Sequence, residues 1–327
     1  MLKVITITLN SSIDEYVETV GVADDGVGEI GRRHEVAAGK GVNVSRELLR
    51  LGSNSLAYCG TGTNSDDRFR ALILQSGIQA KFIVFEGQVR RNITFVDLSG
   101  QISSIHLKGV GYQAVGKTWL NDIIRCLHKD LAPNDIVSIN GSLPKGADVS
   151  AWQAIGECVV HQHARLWADI SGHPLTYLLD RGPAPTFLKI NFAESEFIDK
   201  AVGNKPLTLT DTISNDTTCI CKRLIHLDRL GVFLPIITHG GMGAYFIFEG
   251  AIWRAVAPRQ KDIMRVGAGD AMFAFILWRR VNSDSIRIKD IVDSVTYAAS
   301  YVANRGQLPL DWGGPTELVR VGPVPHK

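Results

Sequence analysis

Apolar and polar positions alternate along this chain in two rhythms, and each rhythm predicts a different element. The first segment, Val4 to Leu9, alternates β-branched residues and predicts a strand. From Gly41 the pattern is helical, with Val42, Val44, Leu48, Leu49 and Leu51 on it and Gly52 as its C-cap. Leu56 to Cys59 then predicts a strand, and Asp66 to Ser76 a helix with Phe69, Leu72 and Ile73 on one face. From 117 onward strand and helix alternate regularly. Helices over 117–129 and 149–163 precede strands over 135–139 and 165–170; a strand over 186–190 precedes a long helix near 210–230; a strand over 232–238 leads to a hairpin near 243–256; and helices over about 268–281 and 286–304 complete the body.

Two stretches break this alternation. Residues 14–37 place Val17, Val20, Val22, Val27, Ile30 and Val36 among glycines and charges, which predicts short half-exposed strands. Residues 81–107 predict three strands, Phe82 to Phe85, Asn92 to Leu98 and Ile102 to Leu107, with Ser99-Gly100 as a hairpin turn. The fold class is therefore α/β, a mostly parallel central sheet covered by helices on both faces. Residues 1–13, 38–80 and 108–327 form its body. The insertions 14–37 and 81–107 are expected to pair into a small separate β-sheet, serving as a lid or a dimer contact.

Composition narrows the function classes. The 327 residues are 45% hydrophobic and 21% charged, as in a globular protein with a sizeable core, and the formal net charge of +2 gives no field that points to nucleic acid or an anionic membrane. The longest apolar runs, such as Ala271 to Trp278, are too short to span a bilayer. Five cysteines, at 59, 126, 158, 219 and 221, form no Cys-x-x-Cys pair, so free thiols in a reducing compartment are expected. Met1 to Thr6 reads as a strand and not as a leader, and the expected location is cytoplasmic.

Several Gly-rich spots invite nucleotide-binding assignments. The segment around Gly39-Lys40-Gly41 fails the P-loop spacing, and both Gly60-Thr61-Gly62 and Gly267-Ala268-Gly269 fail the dinucleotide fingerprint. His161-x-His163 and Cys219-x-Cys221 lack the further ligands of a closed metal site. Gly267-Ala268-Gly269-Asp270 is different, because it stands immediately before a strongly apolar helical segment. Glycines there allow a tight turn and leave N–H groups free to bind an anion at the helix dipole. A carboxylate at the same point can take a proton from a substrate hydroxyl, so the pair suits phosphoryl transfer to an alcohol. A capped helix with Asp270 facing its dipole accounts for the same residues.

Four companion segments also fall at predicted element junctions: Gly39-Lys40-Gly41-Val42-Asn43, Asn140-Gly141-Ser142-Leu143-Pro144, Asn191-Phe192-Ala193-Glu194 and Thr238-His239-Gly240-Gly241-Met242-Gly243. The carboxyl ends of strands are where open α/β sheets bind ligands, so all five should converge on one sheet edge. Asn191 and Glu194 suit a hydrated Mg²⁺ with phosphates.

With these motifs in this order, the chain resembles the ribokinase-like PfkB carbohydrate kinases over essentially its whole length. Ala38-Gly39-Lys40-Gly41-Val42-Asn43-Val44 is similar to one family signature and Gly267 to Asp270 to the other. Thr8-Leu9-Asn10 with Asp14, Arg90-x-Asn92 and Gly141-Ser142-Leu143-Pro144 resemble the phosphosugar branch, which includes 1-phosphofructokinase and tagatose-6-phosphate kinase. The resemblance implies a three-layer sandwich with a β-sheet lid, ATP as donor and Mg²⁺ as cofactor. It implies Asp270 as base and Gly267, Ala268 and Gly269 as anion hole. Asp14, Gly39 and Asn43 would hold sugar hydroxyls, with Asn92 and Ser142 beside them, while Lys40 and Arg90 would grip the phosphate already on the sugar. Asn191, Glu194, Thr238, Gly240 and Gly243 would serve the nucleotide, Glu194 reaching the metal through water. Lids of two subunits would clasp into a homodimer, bringing Arg32 or Arg33 towards a neighbour's site.

The chain departs from the family at Ser11, Ile190, His239, Met242 and Met264-Arg265. Two other functions remain open at this point: a kinase for an unphosphorylated sugar or nucleoside, and a catalytically silent sugar-phosphate sensor. The pair Lys40 and Arg90 has no clear task in the first, and Asp270 none in the second.

Overall fold

The computed structural model describes residues 2–22, 28–63, 67–96, 102–106, 111–198, 215–258, 267–303 and 316–324. The expected hairpin turn at Ser99-Gly100, the start of the helix expected near 210–230, and Met264-Arg265 lie outside the described residues.

The chain runs β1 (Val4–Thr8), β2 (Ser12–Val22), β3 (Gly28–Ala38), α1 (Lys40–Arg50), β4 (Leu56–Gly62), α2 (Asp67–Gln75), β5 (Gln79–Phe85), β6 (Arg90–Val96) and β7 (Ile102–His106). It continues with α3 (Thr118–Asp130), β8 (Ile136–Asn140), α4 (Ala151–His161), β9 (Arg165–Asp169), α5 (His173–Arg181), β10 (Phe187–Asn191), α6 (Asn215–Arg229) and β11 (Leu234–Thr238). The last elements are β12 (Ala244–Phe248), β13 (Ala251–Val256), α7 (Ala268–Val281), α8 (Ile288–Ala303) and β14 (Glu317–Pro323).

Ten strands form one sheet in the order β14-β13-β12-β11-β10-β9-β8-β1-β4-β5. Every pairing from β11 to β5 is parallel, and the β12–β14 end is antiparallel. Strand residues alternate between two cores, as the pleat requires. Val4, Ile136, Trp167, Phe187 and Ile236 meet Val44 and Leu48 of α1, Phe273 and Leu277 of α7, and Ile291 and Val295 of α8. Ile5, Val137, Ala168, Leu188 and Ile237 meet Phe69 of α2, Ile123 of α3, Trp152 and Ile155 of α4, Leu178 of α5 and Leu224 of α6. Trp152, Trp167, Phe187 and Phe273 are fully buried. Burial of a side chain this large contributes on the order of 2–3 kcal/mol.

The second sheet has four strands in the order β3-β2-β6-β7. It confirms a separate small sheet but corrects its membership. Phe82 to Phe85, expected in the lid, belongs to β5 at the edge of the large sheet, paired in parallel with β4. The β4–α2–β5 unit returns the chain to the same sheet by a helical crossover, and Phe85 is stacked on Tyr112 and packed against Trp119. The region 14–37 forms long strands, not short ones, with residues 23–27 outside the described set. Two elements are additional to those expected, α5 and β14. Helix α5 follows the N-cap Gly172, carries Pro174 in its first turn, where a missing N–H costs no intrahelical bond, and buries Leu175 and Leu178.

Candidate active site

The period-two alternation also brings polar residues to one place. On the α1/α7 face β1, β8 and β9 end in Thr8, Asn140 and Asp169, which stand in register, and Lys189 lies on the same face in the middle of β10. Thr8, Asn140 and Asp169 are buried, and Lys189 is nearly so. The tight approach of α1 to this row requires glycine: a Cβ on Gly41 would stand 2.4 Å from Thr8 Oγ1. Gly39 has φ 123, and a Cβ there would meet Thr8 Cγ2 at 2.6 Å.

Asp169 organises the cations of the site. Its two oxygens accept from Lys40 Nζ at 2.7 Å and Lys189 Nζ at 2.5 Å, and Lys40 also donates to Glu194 at 2.8 Å. Burial works against charge on Lys40, yet Asp169 and Glu194 outweigh it and hold the ammonium well above its ordinary pKa. Burial likewise disfavours charge on Asp169, but Lys189 and Lys40 keep its carboxyl below the usual carboxylate range.

Gly267 adopts the left-handed conformation, φ 87, and caps α7. The next residues open the helix, so their N–H groups lack intrahelical acceptors and face an anion favourably. Asp270 is buried in this first turn and accepts from Asn43 Nδ2 at 2.8 Å. Burial first, and the neighbouring Asp169 carboxylate second, push the Asp270 carboxyl up to about 6, against the pull of Lys189, the Asn43 bond and Lys40. A carboxylate so tuned is ionised at neutral pH and still a competent base.

Asn191 and Glu194 lock one another: Glu194 N–H donates to Asn191 Oδ1 at 2.8 Å and Asn191 N–H to Glu194 Oε2 at 3.0 Å. Thr238 ends β11, and Gly240 and Gly243 bound the short turn that follows. The turn closes when His239 N–H donates to the Gly243 carbonyl at 2.7 Å. Gly243, φ 94, admits no side chain, since a Cβ would lie 1.9 Å from the Ala255 carbonyl oxygen. His239 stacks at an angle on Phe192, 4.6 Å between ring centres.

Lys40, Lys189, Asn191, Glu194, Thr238 and the Gly267-to-Asp270 turn line one cavity of about 630 Å³. Its lining combines the charged and polar Lys40, Lys189, Asn191, Glu194 and Asp270 with the apolar Ala257, Pro258, Val295, Ala298 and Val302. No cluster of three metal-ligating side chains occurs among the described residues. Glu194 would hold a phosphate-borne Mg²⁺ through water, and the metal would there offset phosphate charge.

A second group joins lid and body. Asn92 Nδ2 and Ser12 Oγ donate to Asp14 Oδ1 at 2.7 and 2.9 Å. Arg90 donates to Asn92 Oδ1 at 3.5 Å and to the Asn10 carbonyl at 3.3 Å, and Asn10 Nδ2 donates to Ser142 at 2.9 Å. Asp14, Arg90, Asn92 and Ser142 thus form one connected set, and Arg90 Nε is buried with no described partner. Lys40, expected to grip the sugar's phosphate together with Arg90, is ion-paired with Asp169 and Glu194.

Asp169, Lys189 and Asn10 were not among the expected site residues. Lys189 had a legible signal, a single charge in the apolar strand Phe187–Asn191.

Residues 4–307 match the pfkB family carbohydrate kinase pattern. The chain belongs to that family. It is 26% identical over 287 residues to 1-phosphofructokinase of Vibrio cholerae, covering 87% of this chain and 86% of the relative. Its fold superposes on phosphofructokinase-2 from Escherichia coli in complex with fructose-6-phosphate with TM-score 0.78 at 20% identity, over 93% of this chain and 95% of that one. Ribokinase from Thermotoga maritima superposes with TM-score 0.65 at 17% identity, over 93% of each chain. The protein is thus an ATP-dependent carbohydrate kinase with the ribokinase-like three-layer fold and a small accessory sheet. No described helix is long and apolar enough to cross a membrane, and the five cysteines are free thiols.

Proposed function

We propose that this kinase transfers the γ-phosphoryl group of ATP to a hydroxyl of a sugar phosphate, of the class of fructose 1-phosphate, fructose 6-phosphate or tagatose 6-phosphate. The observation that carries the reading is Asp270, buried at the opening of α7 and bonded to Asn43. The carboxylate takes the proton of the acceptor hydroxyl as its oxygen forms the bond to the γ-phosphorus. The bond to the bridging oxygen breaks, and ADP leaves with that electron pair. Backbone N–H groups of the Gly267-Ala268-Gly269 turn and the ammonium of Lys189 hold the transferred group. Mg²⁺, when bound with the nucleotide near Glu194, neutralises phosphate charge.

The connected set Asp14, Arg90, Asn92 and Ser142 supports a sugar phosphate as acceptor. Asp14 and Asn92 suit sugar hydroxyls, and Arg90 supplies donors for the phosphate. The relative from Vibrio cholerae is named 1-phosphofructokinase, which supports fructose 1-phosphate as the first substrate to try. The accessory sheet would act as a lid over this acceptor side. A homodimer through the lid belongs to the same reading.

ATP consumption measured over fructose 1-phosphate, fructose 6-phosphate, tagatose 6-phosphate, fructose, ribose and adenosine tests the reading. Turnover is expected with a phosphorylated ketose. Turnover confined to fructose, ribose or adenosine overturns the sugar-phosphate assignment, and turnover with none of the six favours the sensor.

A further inference from the structure

We propose that Arg46 is a positioning residue for phosphoryl transfer, fixing the amide of Asn43 so that its nitrogen end faces Asp270. The inference rests on Asp270 being the base, as proposed above.

Arg46 follows Asn43 by three residues on α1, so their side chains share a helix face. Its Nη1 donates to Asn43 Oδ1 at 3.0 Å, and its Nη2 donates to the Ala37 carbonyl near the end of β3. The other end of the same amide, Nδ2, donates to Asp270 Oδ2 at 2.8 Å. A primary amide has nearly the same shape at both ends, and a half-turn exchanges its donor for its acceptor. A guanidinium has donors only, so the end it faces must be the oxygen. The nitrogen is thereby left for the carboxylate. The Ala37 carbonyl holds the guanidinium from the opposite side and prevents it from following a rotating amide.

Other charged groups near this chain of bonds are otherwise engaged. Glu47 accepts from Arg50 at 2.8 Å and from Tyr297 at 3.0 Å. Tyr301, Arg50, Glu47 and Asp14 act on Arg46, and Arg46 acts in turn on Tyr16. Asp169, Lys189 and Lys40 face Asp270, which in turn acts on Tyr301. None of these reproduces the directional effect of Arg46 on the amide. Without it, Asn43 is free to turn its oxygen to Asp270, where carbonyl and carboxylate repel. Asp270 then holds a proton more tightly and is a less available base at neutral pH.

The test compares Arg46→Met, Arg46→Lys, Asn43→Ala and the double variant Arg46→Met/Asn43→Ala in the full chain. The assay uses MgATP with fructose 1-phosphate or fructose 6-phosphate, whichever the wild-type chain turns over faster. Arg46→Met is expected to lower kcat about 10- to 100-fold, with KM for ATP within about twofold of wild type. The acidic limb of kcat/KM should move up by about one pH unit. Arg46→Lys should recover part of the loss, and the double variant should be no worse than Asn43→Ala. Additive losses in the double variant overturn the inference. So does an Arg46→Met effect confined to the sugar KM with kcat and the acidic limb unchanged. If Arg46→Met does not melt cooperatively, Arg46→Lys in the wild-type and Asn43→Ala backgrounds gives the same comparison. Asp270→Asn separates the two readings: if it retains wild-type turnover, the proposed function fails, whereas an inactive Asp270→Asn with additive Arg46 and Asn43 losses sinks only the role of Arg46.

Discussion

A Cβ placed on Gly269 would lie 2.8 Å from the ammonium nitrogen of Lys189. The backbone of the proposed anion hole and the neighbouring cation are therefore packed against one another. Lys189 has little freedom to retreat, because its charge is bound to Asp169 at 2.5 Å. Gly269→Ala should displace Lys189 and lower kcat about 100-fold, with a modest shift in melting temperature. Steady-state kinetics alongside a thermal melt checks this. A variant with wild-type kcat would show that the closeness is of no consequence to turnover.

Asp270→Asn should cut turnover about 10²- to 10⁴-fold while sugar-phosphate binding persists. In the wild-type chain kcat/KM should fall as the pH drops through about 6, because the raised pKa of Asp270 means the base becomes protonated there. Above that pH the carboxylate is free and the rate should level off. A pH–rate profile with its acidic limb near the ordinary aspartate value would contradict the environment described for Asp270.

Asp169→Asn should leave Lys40 and Lys189 without their shared counter-ion. Removal of one partner from a buried ion pair costs about 3–5 kcal/mol, so denaturant unfolding should show a loss of that order. The sign with pH follows from the depressed pKa of Asp169. Its contribution is complete above the ordinary carboxylate range and is lost progressively as the pH falls from there through the lower, folded-state value. A variant as stable as the wild type would mean that water or another carboxylate satisfies both lysines.

Arg90→Ala should raise KM for the sugar phosphate about 10- to 100-fold, the equivalent of losing a charge-assisted contact. KM for ATP should stay near its wild-type value, because no described bond joins Arg90 to the residues lining the cavity proposed for the nucleotide. Any unphosphorylated sugar that serves as a weak acceptor should be unaffected. An equal loss with phosphorylated and free sugars would remove the assignment of Arg90 to the phosphate.

Much of this was legible in the sequence because period and punctuation are local. The β-branched run at Val4, the helix opening at Gly41 and the Gly267-to-Asp270 turn each carry their own signal, and the five expected junctions do gather near one edge of the sheet. Strand partnership is not local, which is why Phe82 to Phe85 looked like part of the small sheet. Only the parallel pairing Leu56↔Gln79 through Gly62↔Phe85 places it in the large one. Asp169 was hidden for the same reason. A carboxylate at the end of an apolar strand is unremarked until α1 and β10 deliver Lys40 and Lys189 to its two oxygens. Nothing in the sequence singles out Arg46, and only the fold brings the Ala37 carbonyl to its guanidinium.

Ala38 ends β3 and Lys40 begins α1, so Gly39 alone stands between the small sheet and the helix that carries Lys40 and Asn43. Sheet and helix are in effect the two arms of a lever, and Gly39, seated on Thr8, is its fulcrum. A fulcrum one residue long leaves little slack. A displacement of the small sheet would therefore reach Lys40 and Asn43 through the dihedral angles of one residue and not through a loop that could absorb it.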